Sequence, residues 1–113
     1  SLTPQEAAEA VSHYRQACSE YQRQPHAVAI RKDIFIGATV KEARAVTAPL
    51  IEKGYRGMAE SALMIGSPVE VAEQISALAE QGYTDVIVRN MSPNQAQCLA
   101  TIERLSEVKT LLA

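Results

Sequence analysis

Arg31 and Asp33 stand two residues apart in an apolar, β-branched segment, and Arg89 with Asn90 closes a second such segment. Residues i and i+2 of a strand share a face, so Arg31 and Asp33 could line an interior as a charged pair. An equally simple reading is a structural ion pair on a sheet face. Arg89 and Asn90 fall where ligands gather in parallel α/β proteins, at the carboxyl end of a strand. A loop arginine bonded to backbone carbonyls is the plain alternative. Gly66 and Ser67 precede Pro68, and a glycine and serine opening a helix can present amides to a phosphate or other anion. Against this, Ser67 and Glu70 have the spacing of a capping box, Glu70 would repel an anion, and Pro68 removes a donor. These six residues, Arg31, Asp33, Gly66, Ser67, Arg89 and Asn90, are the candidate ligand contacts.

No catalytic constellation accompanies them. His13 and His26 have no acid or nucleophile at a suggestive spacing, and no G-x-S-x-G signature occurs. Cys18 and Cys98 lie far apart, with no C-x-x-C and no grouped histidine, so no metal site is expected. Both cysteines fall in helical patterns and read as small buried apolar residues, with a disulfide between them as the alternative.

The elements that must position these residues announce themselves by their starts. Thr3-Pro4-Gln5-Glu6, Thr39-Val40-Lys41-Glu42, Ser67-Pro68-Val69-Glu70 and Ser92-Pro93-Asn94-Gln95 each offer a capping side chain followed three residues later by Glu or Gln. The first helix is predicted from Pro4 to Tyr21, with Ala7, Ala10, Val11, Tyr14, Ala17, Cys18 and Tyr21 on one stripe and Pro25 just past its end. The second carries Ala43, Val46 and Leu50 inward, is interrupted by Pro49, and ends near Gly54. The third begins at Pro68, buries Val71, Ala72, Ile75, Leu78 and Ala79, and stops at Gly82. The fourth runs from about Pro93, with Leu99, Ile102, Leu105, Val108 and Leu112 inward. Residues 55–65 are ambiguous between a helical turn and a short extended piece.

Two strands are predicted, His26 to Ile36 and Thr84 to Arg89. In the first, Val28, Ile30, Ile34 and Ile36 point one way with Lys32 among them, and Ala27, Ala29, Arg31, Asp33 and Phe35 point the other. The run Val86-Ile87-Val88 suits a strand covered on both faces. Strands alternating with helices imply parallel pairing. Two strands make a narrow sheet with unpaired edges, which something else must complete.

The 113-residue length fits one domain, and a complete eight-fold barrel of about 250 residues is excluded. The composition, 47% hydrophobic and 21% charged, is that of a globular domain. A net charge of −2, with 4% aromatic residues, argues against nucleic-acid binding. No apolar run reaches the ~20 residues of a membrane span and no signal peptide is visible, so a cytoplasmic location is expected. The chain opens on Ser1, as a processed chain or a piece of a longer one would.

Three segments carry a family likeness. Ile30 to Gly37 with the Glu-Ala-Arg-rich helix after it resembles a late strand and crossover of the luciferase-like flavin-dependent monooxygenases. Ile65-Gly66-Ser67-Pro68-Val69-Glu70-Val71-Ala72-Glu73-Gln74-Ile75 resembles the segment opening that superfamily's penultimate barrel helix, and Gly82 to Arg89 its last strand. The resemblance spans residues 1–113 as a single domain but only about the last third of the family's barrel. It implies an α/β partial (β/α) barrel of about two parallel strands and four or five helices, completed by oligomerisation. It also implies a parent enzyme using FMN or a deazaflavin, with no cofactor and no catalytic residue assigned to this chain alone. The expected partners are a second copy, in a homodimer, or the missing N-terminal part of a barrel. The alternative is a stand-alone, self-associating or small-ligand-binding α/β domain.

Overall fold

A computed structural model describes residues 2–24 and 26–113. Three parallel strands, β1 (Ala29–Ile36), β2 (Met64–Gly66) and β3 (Asp85–Asn90), form one open sheet in the order β2-β1-β3. Four helices surround it: α1 (Pro4–Glu20), α2 (Val40–Glu52), α3 (Pro68–Gln81) and α4 (Gln95–Leu112). The sheet thus has one strand more than the two expected. Residues 55–65 contain both anticipated alternatives, 3₁₀ turns over Tyr55–Gly57 and Glu60–Ala62 and then the start of β2. Three residues are too few for a two-residue periodicity to show.

The long central strand explains the layering. Ile30, Ile34 and Ile36 face a core shared with Ala7 and Val11 of α1, Val71, Ala72 and Leu78 of α3, and Val108 of α4. Phe35 faces the other way, into a smaller cluster with Ala43, Leu63 and Met91, against which Val46 and Leu50 of α2 pack. The crossover from β1 out to β2 and the one from β2 back past β1 to β3 run in opposite directions. Two crossovers of one hand must then place α2 and α3 on opposite faces, as they are. Gly37 makes the turn into α2 possible, because a Cβ there would lie 2.7 Å from the Ala43 nitrogen.

Local signals govern the helix ends. In α1 the Glu6 amide donates to Thr3 Oγ1 (3.2 Å) and the Thr3 amide to Glu6 Oε1 (2.9 Å), a reciprocal capping box. These bonds hold the Glu6 carboxyl below its ordinary pKa. Thr39 caps α2 through the Glu42 amide (3.1 Å), and Gly82 ends α3 in the left-handed region at φ +115°. Pro49 sits inside α2, which continues to Glu52. Pro25, expected just past α1, lies outside the described residues.

The start and face of α4 differ from expectation. Asn94, not Ser92, caps the helix, its Oδ1 accepting from the Gln97 amide at 2.9 Å. Ser92 is held instead by Asn90, whose Oδ1 accepts from both its amide and its hydroxyl. Thr101 and Val108 are the buried positions of α4, while Leu99 and Ile102 are each 53% exposed. The polar groups fix this rotation: Thr101 Oγ1 and Arg104 Nη1 both donate to the Ile36 carbonyl, at 3.4 and 3.1 Å. The stripe of α1 is likewise only half used, with Ala7 and Val11 buried and Tyr14 and Tyr21 exposed.

The sheet is incomplete at its margins. Among the described residues no strand pairs with the outer edge of β3, and β2 accompanies only Ile34–Ile36 of β1. Ile87 and Val88, expected under cover on both sides, are exposed. Among the described residues no helix is long and apolar enough to cross a membrane.

Candidate functional site

Parallel register sets the charged residues in place. Asp33 of β1 lies beside Arg89 of β3, and Arg31 beside Ile87. Neighbouring strands are about 4.8 Å apart, whereas Arg31 and Asp33 are separated by two residues, about 6.6 Å along the strand. Asp33 therefore pairs across the sheet: Arg89 Nε donates to its Oδ2 at 3.0 Å. The expected Arg31–Asp33 pair is replaced by this one, and Arg31 points from the same face into solvent. Asp33 is fully buried and the Arg89 side chain partly so.

A third member comes from the segment that periodicity left ambiguous. Tyr55 donates its hydroxyl to the same Asp33 Oδ2 at 2.7 Å. The turn presenting it needs left-handed backbone at Gly54 (φ +73°), Arg56 (φ +48°) and Gly57 (φ +69°). Two glycines make that inexpensive. Burial, and then the hydrogen bond to Asp33, raise the Tyr55 hydroxyl above its ordinary pKa, so it stays protonated. The same carboxylate raises the pKa of Arg89. Asp33, Arg89 and Tyr55 thus tie β1, β3 and the turn after α2 into one charge-balanced cluster. Its carboxylate is committed to donors on two sides, which suits it to fixing a surface rather than to accepting a substrate proton.

Asn90, adjacent to Arg89, points to the opposite face. Its Nδ2 donates to the Cys98 carbonyl at 3.1 Å while its Oδ1 holds Ser92, so it joins the end of β3 to the first turn of α4. At the start of α3 the Ser67 amide and hydroxyl both donate to Glu70 Oε1, at 3.2 and 3.0 Å. A Cβ on Gly66 would lie 2.9 Å from the Glu70 Cβ, so the glycine makes room for that carboxylate. Gly66 and Ser67 are thus engaged by the chain's own anion. The six sequence candidates do not converge: Asp33 and Arg89 meet, Arg31 lies exposed on the same face, and Asn90, Gly66 and Ser67 serve helix starts.

Two residues escaped the sequence reading. Tyr55 had no periodic signal. Lys32 alternates with isoleucines on β1 and carries no motif, and it is only 4% exposed. Its Nζ donates to the carbonyls of Leu2 (2.6 Å) and Ala62 (3.0 Å), and burial pushes its pKa down. No group of three or more His, Cys, Asp or Glu able to hold a metal ion occurs among the described residues.

The sequence matches no family model, and comparison with curated proteins finds no match. Solved structures do match. The monooxygenase RslO1 from Streptomyces bottropensis superposes over 96% of this chain with a TM-score of 0.74 and 17% identity. The oxygenating constituent of 3,6-diketocamphane monooxygenase from Pseudomonas putida is a type II Baeyer-Villiger monooxygenase solved with FMN. It superposes over 93% with a TM-score of 0.69 and 20% identity. At these identities the likeness is one of fold. The chain spans only 38% and 39% of those two chains, and its open parallel sheet with flanking helices is consistent with part of a barrel.

FMN bears a phosphate, which in α/β proteins is held by free amides at strand ends and helix starts. Here the amide and hydroxyl of Ser67 are taken by Glu70 and those of Ser92 by Asn90. The donors of Ser67 and Ser92, so committed, are not free for a phosphate.

Proposed function

We propose that this chain is part of a luciferase-like flavin-dependent monooxygenase barrel, corresponding to its C-terminal third, and is not catalytic by itself. One observation carries the reading: nearly the whole chain shares its fold with two monooxygenases, one of them solved with FMN, yet spans under two-fifths of their length. Barrel enzymes assemble their sites from the carboxyl ends of several strands. This chain contributes three strands, and at their ends Ser67 and Ser92 are engaged by the chain's own Glu70 and Asn90. The Asp33–Arg89–Tyr55 cluster then serves the barrel as a fixed, charge-neutral patch, with Arg31 and Arg89 as its ligand-facing cations. FMN or a deazaflavin would bind only with the remaining strands in place.

The test compares the intact mass of the protein with its reading frame and titrates FMN into the 113-residue chain. Coding sequence continuing upstream for the rest of a barrel, with no stoichiometric FMN binding by the chain alone, supports the reading. Stoichiometric FMN binding with NADH- or FMNH₂-dependent turnover by the chain alone overturns it.

A second reading, a stand-alone self-associating domain, is favoured by the bare edge of β3. Ile87 is 56% and Val88 40% exposed there. In either reading those residues meet a partner: the rest of the barrel in the first, a second copy in the second.

A further inference from the structure

Lys32 and Asp33 are successive residues of β1 and so point to opposite faces. Asp33 has its counter-charge in Arg89, whereas Lys32 has none. No carboxylate lies within ion-pair distance of Lys32 among the described residues. An ammonium carries three donors, and two of them reach the carbonyls of Leu2 and Ala62. A buried cation balanced only by carbonyl dipoles is costly, and an anion beside it removes much of that cost.

A cavity of about 270 Å³ opens at this lysine, beneath α3 and the Glu60–Ala62 turn. Its walls are largely apolar, with Pro4, Leu63, Met64 and Leu78 among them. Gln81 also lines it, and the Gln81 Oε1 is buried without a hydrogen-bond partner. A half-turn of that amide exchanges the orphan acceptor for an Nε2–H donor in the same place. The cavity therefore combines a cation, an uncommitted amide and an aliphatic wall. Its volume lies below the ~300 Å³ at which drug-sized sites begin, so it suits a small ligand.

We propose that the Lys32–Gln81 cavity is a binding site for a small aliphatic carboxylate, whose head group accepts from Lys32 Nζ and the Gln81 amide while its tail lies along Met64 and Leu78. The site is on the face of the sheet opposite the Asp33–Arg89–Tyr55 cluster and is independent of any flavin chemistry.

Sodium hexanoate, 1-hexanol and hexylammonium chloride serve as probes of the full chain, read by calorimetry and by shifts of the Gln81 side-chain amide in NMR spectra. Hexanoate is expected to bind saturably. Hexanol, which lacks the charge-assisted bond, should bind at least tenfold more weakly, and hexylammonium not at all. Lys32→Met should weaken hexanoate at least tenfold. Ala77→Phe, which adds a ring at the lining of the cavity, should abolish binding while the far-UV spectrum stays that of the parent. If Lys32→Met fails to fold, the probe series and Ala77→Phe decide the matter. The proposal is overturned by absence of saturable hexanoate binding up to about 10 mM. Equal affinity for hexanol, or undiminished binding by folded Ala77→Phe, overturns it as well.

Discussion

Removing the Tyr55 hydroxyl tests the cluster that joins the two long strands to the turn after α2. The phenol donates at 2.7 Å to a fully buried carboxyl group that is ion-paired with Arg89. Hydrogen bonds to charged groups contribute about 1.5–3 kcal/mol. Tyr55 is only half-buried, so water competes for its hydroxyl, and the lower end applies. Tyr55→Phe should therefore cost about 1.5 kcal/mol in the parent chain. In an Asp33→Ala background the hydroxyl has lost its acceptor, and the same substitution should cost close to nothing. The coupling between the two sites is then about 1.5 kcal/mol, well above the ~0.5 kcal/mol by which independent sites depart from additivity. Urea unfolding of the four proteins, compared at constant m-value, gives each ΔΔG. A coupling under about 0.5 kcal/mol would refute the assignment of Tyr55 to Asp33.

Gly37→Ala should destabilise by about 1–3 kcal/mol, because its Cβ would meet Ala43 backbone at 2.7 and 3.0 Å with no flexible side chain to yield; the urea midpoint reports it. Ser67→Ala should lower stability by about 1 kcal/mol through loss of the 3.0 Å bond to Glu70, measured in the same way. Tyr55 and Tyr83 both have raised pKa values, chiefly through burial. The folded state therefore holds its phenolic protons after the unfolded chain has released them. The stability they contribute is present below the unfolded value of about 10 and is lost as pH climbs beyond it. A stability–pH profile should fall in that alkaline range, and the Tyr55→Phe, Tyr83→Phe double variant should fall less steeply.

The parts of the fold legible in the sequence are those fixed by near neighbours. The boxes at Thr3–Glu6 and Ser67–Glu70 are written within four residues, and both form hydrogen bonds that can be checked. The faces of β1 were legible because alternation is strict there: Ile30, Ile34 and Ile36 lie in one cluster and Phe35 in the other. The start of α4 misled because Ser92-Pro93 imitates a cap. The true outcome turned on Asn90, two residues earlier, capturing the serine. The inner face of α4 misled because Thr101 and Arg104 are drawn to the Ile36 carbonyl, a contact with a strand 65 residues away along the chain. Asp33, Arg89 and Arg31 were each recognisable as candidates. Which arginine pairs with Asp33 depends on the parallel register, which no local pattern encodes. Tyr55 stood in a segment without periodicity, so only the folded turn reveals it.

The central claim is that this chain is an incomplete portion of a barrel whose sheet needs a partner beyond β3. We propose that, without the remaining strands, a second copy in a closed two-fold contact over Ile87 and Val88 takes their place. Sedimentation equilibrium of the purified chain at micromolar concentration tests this most directly. The account predicts a dimer, with the monomer appearing only on dilution and less stable when it does. A monodisperse monomer that unfolds cooperatively at the same concentration would show that the three-stranded sheet stands by itself, and would contradict the account.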